Sequence, residues 1–308
     1  MRNLTQQLGY KAFGLKLDSE IPLPELPFTD QPGILGAITV TKEDLSLRWM
    51  YIPKINADLG VSENEVMFCV SDIGIFSIKN GNSIEVSPFT STDEDSIRLY
   101  ILGSCMGILL MQRKVLPLHG SAIVLQNKVY ALLGQSGAGK STLASYLMDQ
   151  GYPLISDDVI PIQVTDSGPT AIPGYPQQKL WKNSLQQLGL QSSDYRPLIK
   201  RENKFAIPVH DHFHTEPLPL AGVFELNIKP EGSVTIEPIH GMERFHTLFH
   251  HTYRKRMIDR MGLRQWHFST LAQFVNQLPM HRLSRPAEGF SAPELTSLIL
   301  ETINEGGD

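Results

Sequence analysis

Cysteine is nearly absent: Cys69 and Cys105 are the only two in 308 residues. Two cysteines build no disulfide framework. Both sit in apolar surroundings, so they read as small core residues in a reducing compartment. Long apolar runs are missing too. The most apolar stretch, Leu99 to Met111, is too short to span a bilayer and reads as a buried helix. Its Gly103 and Gly107 have a GxxxG spacing, which here points to close helix packing. Residues Met1 to Gln7 lack the apolar centre of a signal peptide. The expectation is a cytoplasmic protein with no membrane partner. Positive charge is in short supply as well: 27 Lys and Arg face 32 Asp and Glu, for a net charge of −5. That gives no support to nucleic acid as a bulk electrostatic partner. No internal repeat or low-complexity tract is present. What remains is a globular composition, 41% hydrophobic and 19% charged, long enough for one large domain or two ordinary ones.

Against that background one segment stands out. Residues 134–141 read Gly134-Gln135-Ser136-Gly137-Ala138-Gly139-Lys140-Ser141, followed by Thr142, a complete Walker A loop. Upstream, Val129 to Leu133 is apolar and fits a buried strand. Downstream, Leu143, Ala144, Leu147 and Met148 share a helical face, and Gly151 supplies a stop. Glycines let the backbone curl so that its N–H groups converge on phosphate oxygens, and the helix N-terminus adds partial positive charge. Lys140 is placed to reach the β- and γ-phosphates, and Ser141 to offer a hydroxyl to Mg²⁺. The chain is therefore read as nucleotide-binding, with ATP and Mg²⁺ as its ligands.

The segment Pro153 to Asp158 predicts a short strand ending in paired carboxylates, about 17 positions after Lys140. In a βαβ unit that strand runs parallel to the loop strand, so its end faces the ligand. Two adjacent carboxylates divide the work: one helps hold Mg²⁺, the other accepts a proton from an attacking hydroxyl. A cap or turn is the structural alternative. His119 lies on the strand expected over Leu118 to Leu125, which hairpins through Gln126-Asn127-Lys128 into the loop strand. It either orients a carboxylate base or serves as an ordinary structural histidine.

Elsewhere, residues 1 to 92 predict a β-rich module, with strands over Val66–Val70, Ile73–Ile78 and Ile84–Val86 and a hairpin turn at Asn80-Gly81. The proline-rich Ile21 to Pro27 predicts an extended surface segment. Asp93 to Gln112 predicts a helix. Residues 166–219 are rich in Gly, Pro and polar side chains and predict loops around the site. Strand character resumes over Val223–Ile228, Met242–Met261 predicts one amphipathic helix, and a last helix starts at Ser291 with a capping box to Glu294.

Leu118-His119-Gly120-Ser121, the Walker loop, and Ser156-Asp157-Asp158-Val159 together resemble the catalytic domain of HPr kinase/phosphorylase, a P-loop group related in fold to phosphoenolpyruvate carboxykinase. The resemblance implies an α/β kinase domain over 93–308 behind the 1–92 module. It implies Asp157 as proton acceptor with His119 beside it, Lys140 on the phosphates, and Ser141 with Asp158 on Mg²⁺. The sequence is more similar still to the HPr-kinase-like enzymes of lasso-peptide biosynthesis, which phosphorylate the C-terminal serine of a precursor peptide. That likeness runs through Tyr10–Leu15, Ile21–Leu26, Pro173–Pro176 with Leu180-Trp181, Lys204–Pro208 and His251–Arg254. It implies a serine kinase acting on a peptide. The hexamers of HPr kinases leave a homo-oligomer as an implied state. Three departures weigh against HPr as acceptor and against reversal by phosphate: Thr142 stands where those kinases carry Glu, Val159-Ile160-Pro161-Ile162 replaces their Val-Glu-Ile-like run, and no arginine-bearing phosphorylase loop is evident.

The remaining candidates are weaker. Lys200, Arg201 and Lys204 form a basic cluster, either a clamp for phosphate or a peptide carboxylate or a solvated loop; the resemblance favours Lys204. His210, His212 and His214 alternate but lack further metal ligands. His246 and His250 lack the adjacent Glu of a metalloprotease helix. Arg254, Lys255 and Arg256 read as a solvated helix face, and Trp181 either lines the site or packs. Besides the peptide kinase, two readings stay open: an HPr kinase, and a nucleotide-dependent switch or scaffold that docks through the β module.

Overall fold

The computed structural model describes residues 8–198 and 201–305. The first eight strands are β1 (Leu8–Ala12), β2 (Leu15–Ser19), β3 (Ala37–Lys42), β4 (Lys54–Asn56), β5 (Leu59–Val61), β6 (Glu65–Val70), β7 (Gly74–Lys79) and β8 (Ser83–Pro88), with the short helix α1 (Ser46–Tyr51) before β4. They form one sheet in the order β1-β2-β3-β8-β7-β6-β5-β4. Asn80 and Gly81 join β7 to β8 with φ of +54° and +64°, the two left-handed residues of a tight hairpin. The proline-rich segment is neither extended throughout nor a surface strip: Leu26 N donates to Leu23 O at 3.0 Å, closing a turn through Pro24 and Glu25. Ile21, Leu23 and Leu26 are buried while Pro22, Pro24 and Pro27 are exposed. Alternation over residues 21–24, followed by that turn, sends the prolines to solvent and the aliphatics to the core.

The helix expected from Asp93 is present as α2 (Glu94–Tyr100), a π-helical turn over Ile101–Cys105, and α3 (Met106–Gln112). Asp93 caps it, its carboxylate accepting from Ser96 N at 2.9 Å. Its apolar residues, among them Ile97, Ile101 and Leu109, share a core with Leu15, Phe76 and Val86 of the N-terminal sheet. The glycine notch receives an aromatic ring rather than a helix: a Cβ on Gly107 would stand 2.5 Å from the ring of Tyr253. Cys105 is buried and Cys69 half-buried.

The second sheet holds the loop. Its strands begin with β9 (Leu116–Leu118), β10 (Gly120–Leu125) and β11 (Lys128–Gly134). Helix α4 (Lys140–Asp149) leads to β12 (Leu154–Asp157), β13 (Ile160–Thr165) and β14 (Gly168–Ala171). A small sheet follows, made of β15 (Gln177–Trp181), β16 (Arg196–Leu198) and β17 (Arg201–Pro208), with α5 (Lys182–Gln187) after β15. The long β18 (Leu218–Lys229) and β19 (Thr235–Pro238) precede helices α6 (Met242–His250), α7 (Arg256–Arg260) and α8 (Arg264–Gln277). Strand β20 (Met280–Pro286) and α9 (Ala292–Glu305) complete the described chain. The sheet order is β12-β10-β11-β18-β14-β13-β9, with β20 on β18 and β19 on β20.

Strand β10 is antiparallel to both β11 and β12. Strands β11 and β12 therefore run in the same direction, as expected, but with an antiparallel strand between them. Strand β11 is parallel to β18, and β18 to β20. The C-terminal ends of four strands thus meet at one edge, where the Walker loop, Asp157 and Arg285 emerge. Leu132 and Ile123 face a core with α4 and α9. Ala131 and Leu133 face a second core with Leu248 of α6 and Leu271 of α8. This two-sided burial explains the uninterrupted apolar run of β11.

Three expectations need correction. The strand over 118–125 is interrupted at His119, whose backbone N donates to His251 O at 2.7 Å. The segment 166–219 is not only loop: it holds strands β14 to β17, the start of β18 and helix α5. The helix over 242–261 breaks at residues 251–255, where Tyr253 N donates to Pro117 O at 2.8 Å and Arg254 adopts φ +51°. In both breaks the backbone bonds serve the β9 end of the sheet in place of regular structure. His210–His212 forms a 3₁₀ turn, so the three histidines do not share one face of a strand. Met1–Gln7 and Lys200 lie outside the described residues, as does the side chain of Arg201. Among the described residues no helix is long and apolar enough to cross a membrane.

Candidate active site

The loop from Gly134 to Gly139 closes on α4 because two of its residues take backbone angles open only to glycine at low cost: Gly137 has φ +86° and Gly139 φ +104°. Lys140, first residue of α4, folds back so that Nζ donates to Gly134 O at 2.8 Å and Gln135 O at 3.0 Å. Burial lowers its pKa, Lys204 lowers it further, and Asp157 and Asp158 oppose both. An ammonium held only by carbonyls, beside an open cleft, is ready for anionic oxygens.

Asp157 ends β12, buried at 6% exposure. Its Oδ1 accepts from Ser121 Oγ at 2.6 Å and from Ser141 Oγ at 3.2 Å, and its Oδ2 accepts from Lys179 N at 2.9 Å. Asp158 turns the other way. Its φ is +69°, which swings the carboxylate off the β12 direction. Oδ2 accepts from Lys179 Nζ at 2.7 Å, and Oδ1 lies 3.6 Å from His119 Nδ1. Burial alone would raise the Asp158 pKa, but Lys179, then His119 and Lys204, hold it well below the usual carboxylate range. The same pairing holds the Lys179 ammonium protonated against its burial.

His119 Nδ1 is 2.9 Å from Asp158 O. A carbonyl only accepts, so Nδ1 carries the proton and Nε2 holds the lone pair of the neutral ring. Burial lowers the His119 pKa more than Asp158 raises it. The Tyr253 ring packs 5.7 Å away, centroid to centroid, so the glycine notch of the 94–112 helix supports the histidine through that ring.

These groups line one cleft of about 530 Å³, in the range of small-molecule sites. Its opposite wall is formed by Trp181, Asn183 and Gln187 from the β15–α5 connection and by Glu288 to Leu295 before and within α9. Thr142 donates its hydroxyl to Ser184 Oγ at 2.7 Å and so ties α4 to α5. Lys204 lines the cleft with Nζ 5.6 Å from the Trp181 ring.

The structure thus brings Lys140, Ser141, Asp157, Asp158, His119 and Lys204 together, but it redistributes the two aspartates. Ser141 stands against Asp157, not Asp158, because the left-handed backbone at Asp158 carries that side chain toward His119 and Lys179. For a hard cation the donor set is a hydroxyl and a carboxylate, Ser141 and Asp157. That suits Mg²⁺, which takes few protein ligands and completes its shell with phosphate oxygens and water. Among the described residues no group of three or more His, Cys, Asp and Glu side chains converges as a metal cage.

Three contributors were not legible as site residues in the sequence. Ser121 and Lys179 hold the aspartates. Arg285, at the end of β20, donates from Nε to Ala138 O at 2.9 Å and from Nη2 to Gly137 O at 3.5 Å. It braces the loop and lines the same cleft, and burial lowers its pKa. The other cationic candidates lie elsewhere: Arg254 Nη2 donates to Ser104 Oγ at 2.6 Å, and Lys255 reaches His250.

No protein-family model matches the chain, and no curated protein matches it. Among solved structures, it is similar to the HPr(Ser) kinase/phosphatase from Coxiella burnetii, at 13% identity and a TM-score of 0.33, over 62% of this chain and 99% of that one.

Proposed function

We propose that this protein is an ATP- and Mg²⁺-dependent serine kinase with a peptide acceptor, and that Asp158 rather than Asp157 receives the hydroxyl proton. The observation that carries this reading is the division of the carboxylates. Asp157 is engaged by Ser121, Ser141 and Lys179 N, the setting of a group that holds a cation beside the P-loop serine. Among the described residues, nothing bonds Asp158 Oδ1 more closely than the 3.6 Å approach of His119, and Asp158 lines the cleft.

The serine oxygen attacks the γ-phosphorus, the bond to the ADP oxygen breaks, and the hydroxyl proton passes to Asp158 Oδ1. A strongly ionised carboxylate is a weak base, so its first task is to orient the hydroxyl. The proton moves late, as a loose phosphoryl transition state allows. Neutral His119 keeps the carboxylate in place through its Nδ1–H on Asp158 O. Lys140 and the loop N–H groups would hold the phosphates, and Mg²⁺ held by Ser141 and Asp157 would supply charge neutralisation at the phosphate oxygens. Lys204 suits the anionic end of a peptide or the triphosphate.

The acceptor we put first is the C-terminal serine of a lasso-peptide precursor, supported by the sequence resemblance. Mass spectrometry after incubation with Mg-ATP, a precursor peptide ending in Ser and an HPr protein tests it. Phosphate on the terminal serine supports the reading. Phosphate on HPr alone moves the acceptor to that protein, and hydrolysis without transfer to either contradicts the kinase assignment.

A further inference from the structure

A second cavity, of about 210 Å³, lies on the far side of Lys179 from the nucleotide cleft. The small sheet connects the two. Gln177, Lys179 and Trp181 alternate along β15 and share one face. Their partners on β17 are Pro208, Ala206 and Lys204. Trp181 and Lys204 line the nucleotide cleft, Gln177, Ala206 and Pro208 line the second cavity, and Lys179 lines both. One continuous strip of sheet therefore runs from the phosphates, past the residue that holds Asp158, into this cavity.

Its chemistry is specific. The walls are apolar, with Pro24, Leu99, Leu102, Pro197 and Leu198 among them. The charges cancel: Arg98 pairs with Glu25 and Asp95, and Arg196 with Asp95. Two buried acceptors, Glu25 Oε2 and Gln177 Oε1, have no hydrogen-bond partner among the described residues, and Gln177 is only 9% exposed. A desolvated, unpaired acceptor is costly to the fold by itself and favours a ligand that donates.

We propose that this cavity is the acceptor subsite of the kinase described above, taking an apolar side chain of the peptide while backbone N–H groups beside it donate to Glu25 and Gln177. The assignment rests on the kinase reading. Gln177 is two residues from Lys179, about 7 Å along the strand, and an extended peptide advances by the same step. The selected apolar residue therefore sits about two positions from the phosphorylated serine.

The test is a library of nonapeptides, each with a single serine and varied flanking residues, incubated with the full chain and Mg-ATP and read by mass spectrometry. The wild-type protein is expected to select an apolar residue about two positions from the serine. Ala206→Leu, which fills the cavity, is expected to raise the acceptor KM at least tenfold with Mg-ATP affinity unchanged. Gln177→Leu is expected to raise the acceptor KM about tenfold and also to raise the melting temperature, because it removes an unpaired buried acceptor. A residue that merely supported the fold would lower it. Transfer by both variants with unchanged KM and unchanged selectivity overturns the subsite and leaves the kinase reading intact. Absence of transfer to any peptide by the wild-type protein overturns both.

Discussion

Replacing Lys179 by Met keeps the length of the side chain and removes its charge, leaving Asp158 without its closest partner. The pair is 2.7 Å apart, with side chains 7% and 20% exposed. At an effective dielectric of about 20, that separation corresponds to about 6 kcal/mol of attraction, much of it offset by desolvation. Removing one member of a buried pair leaves the other uncompensated, which costs about 3–5 kcal/mol. Lys179→Met should therefore lower unfolding free energy by about that amount at pH 7. The Asp158 pKa, held down mainly by Lys179 against burial, should rise. Its ionised form contributes stability that is complete above the unfolded value near 3.8 and fades as pH falls through the lower folded value. In Lys179→Met that loss begins at higher pH, and the acid limb of the phosphotransfer rate moves up with it. Asp158→Asn in the same background removes the orphaned charge and should recover more than about 2 kcal/mol, measured as a double-mutant cycle in urea. A single variant within 1 kcal/mol of wild type, or a cycle with no coupling, would refute the electrostatic account of the site.

Three further outcomes follow from the packing. Gly107→Ala should destabilise by about 1–3 kcal/mol despite alanine's better helix propensity, because its Cβ meets the Tyr253 ring at 2.5 Å; Gly103→Ala, which meets only Tyr253 Oη at 3.4 Å, should be neutral or stabilising by thermal melting. His267 is 3% exposed, 2.9 Å from Thr252 Oγ1, with its pKa pushed down to about 4 by burial. Its neutral form contributes stability that is complete above pH 6.5 and is lost as pH falls toward 4, about 3 kcal/mol in all; urea titrations of His267→Gln should show a correspondingly flatter pH dependence, and an unchanged slope would contradict this. Arg285→Met removes the brace on Ala138 and Gly137 and should weaken Mg-ATP binding about tenfold by isothermal titration, with unchanged affinity counting against the brace.

What the sequence disclosed was local. The Walker loop and the Asn80-Gly81 hairpin depend on residues within a few positions of each other, and each forms where expected. The direction of β12 was legible because a strand–helix–strand connection returns the chain to run the same way. The division of labour between Asp157 and Asp158 was not, because it turns on the sign of one φ angle. The broken helix at 251–255 was hidden because apolar residues keep helical spacing through the break, while the bonds that open it come from Pro117 and His119. The strands within 166–219 carry Gln, Lys and Pro where a pattern search expects aliphatics. Lys179 and Arg285 reach the site only through sheet topology, which no local signal records.

The measurement that bears most directly on the account compares Asp158→Asn and Asp157→Asn for both Mg-ATP affinity and phosphate transfer to a serine peptide. The account predicts that Asp158→Asn binds Mg-ATP within a few-fold of wild type yet loses about 10²–10⁴ in transfer rate, whereas Asp157→Asn weakens Mg-ATP binding itself. Transfer near the wild-type rate by Asp158→Asn would contradict it.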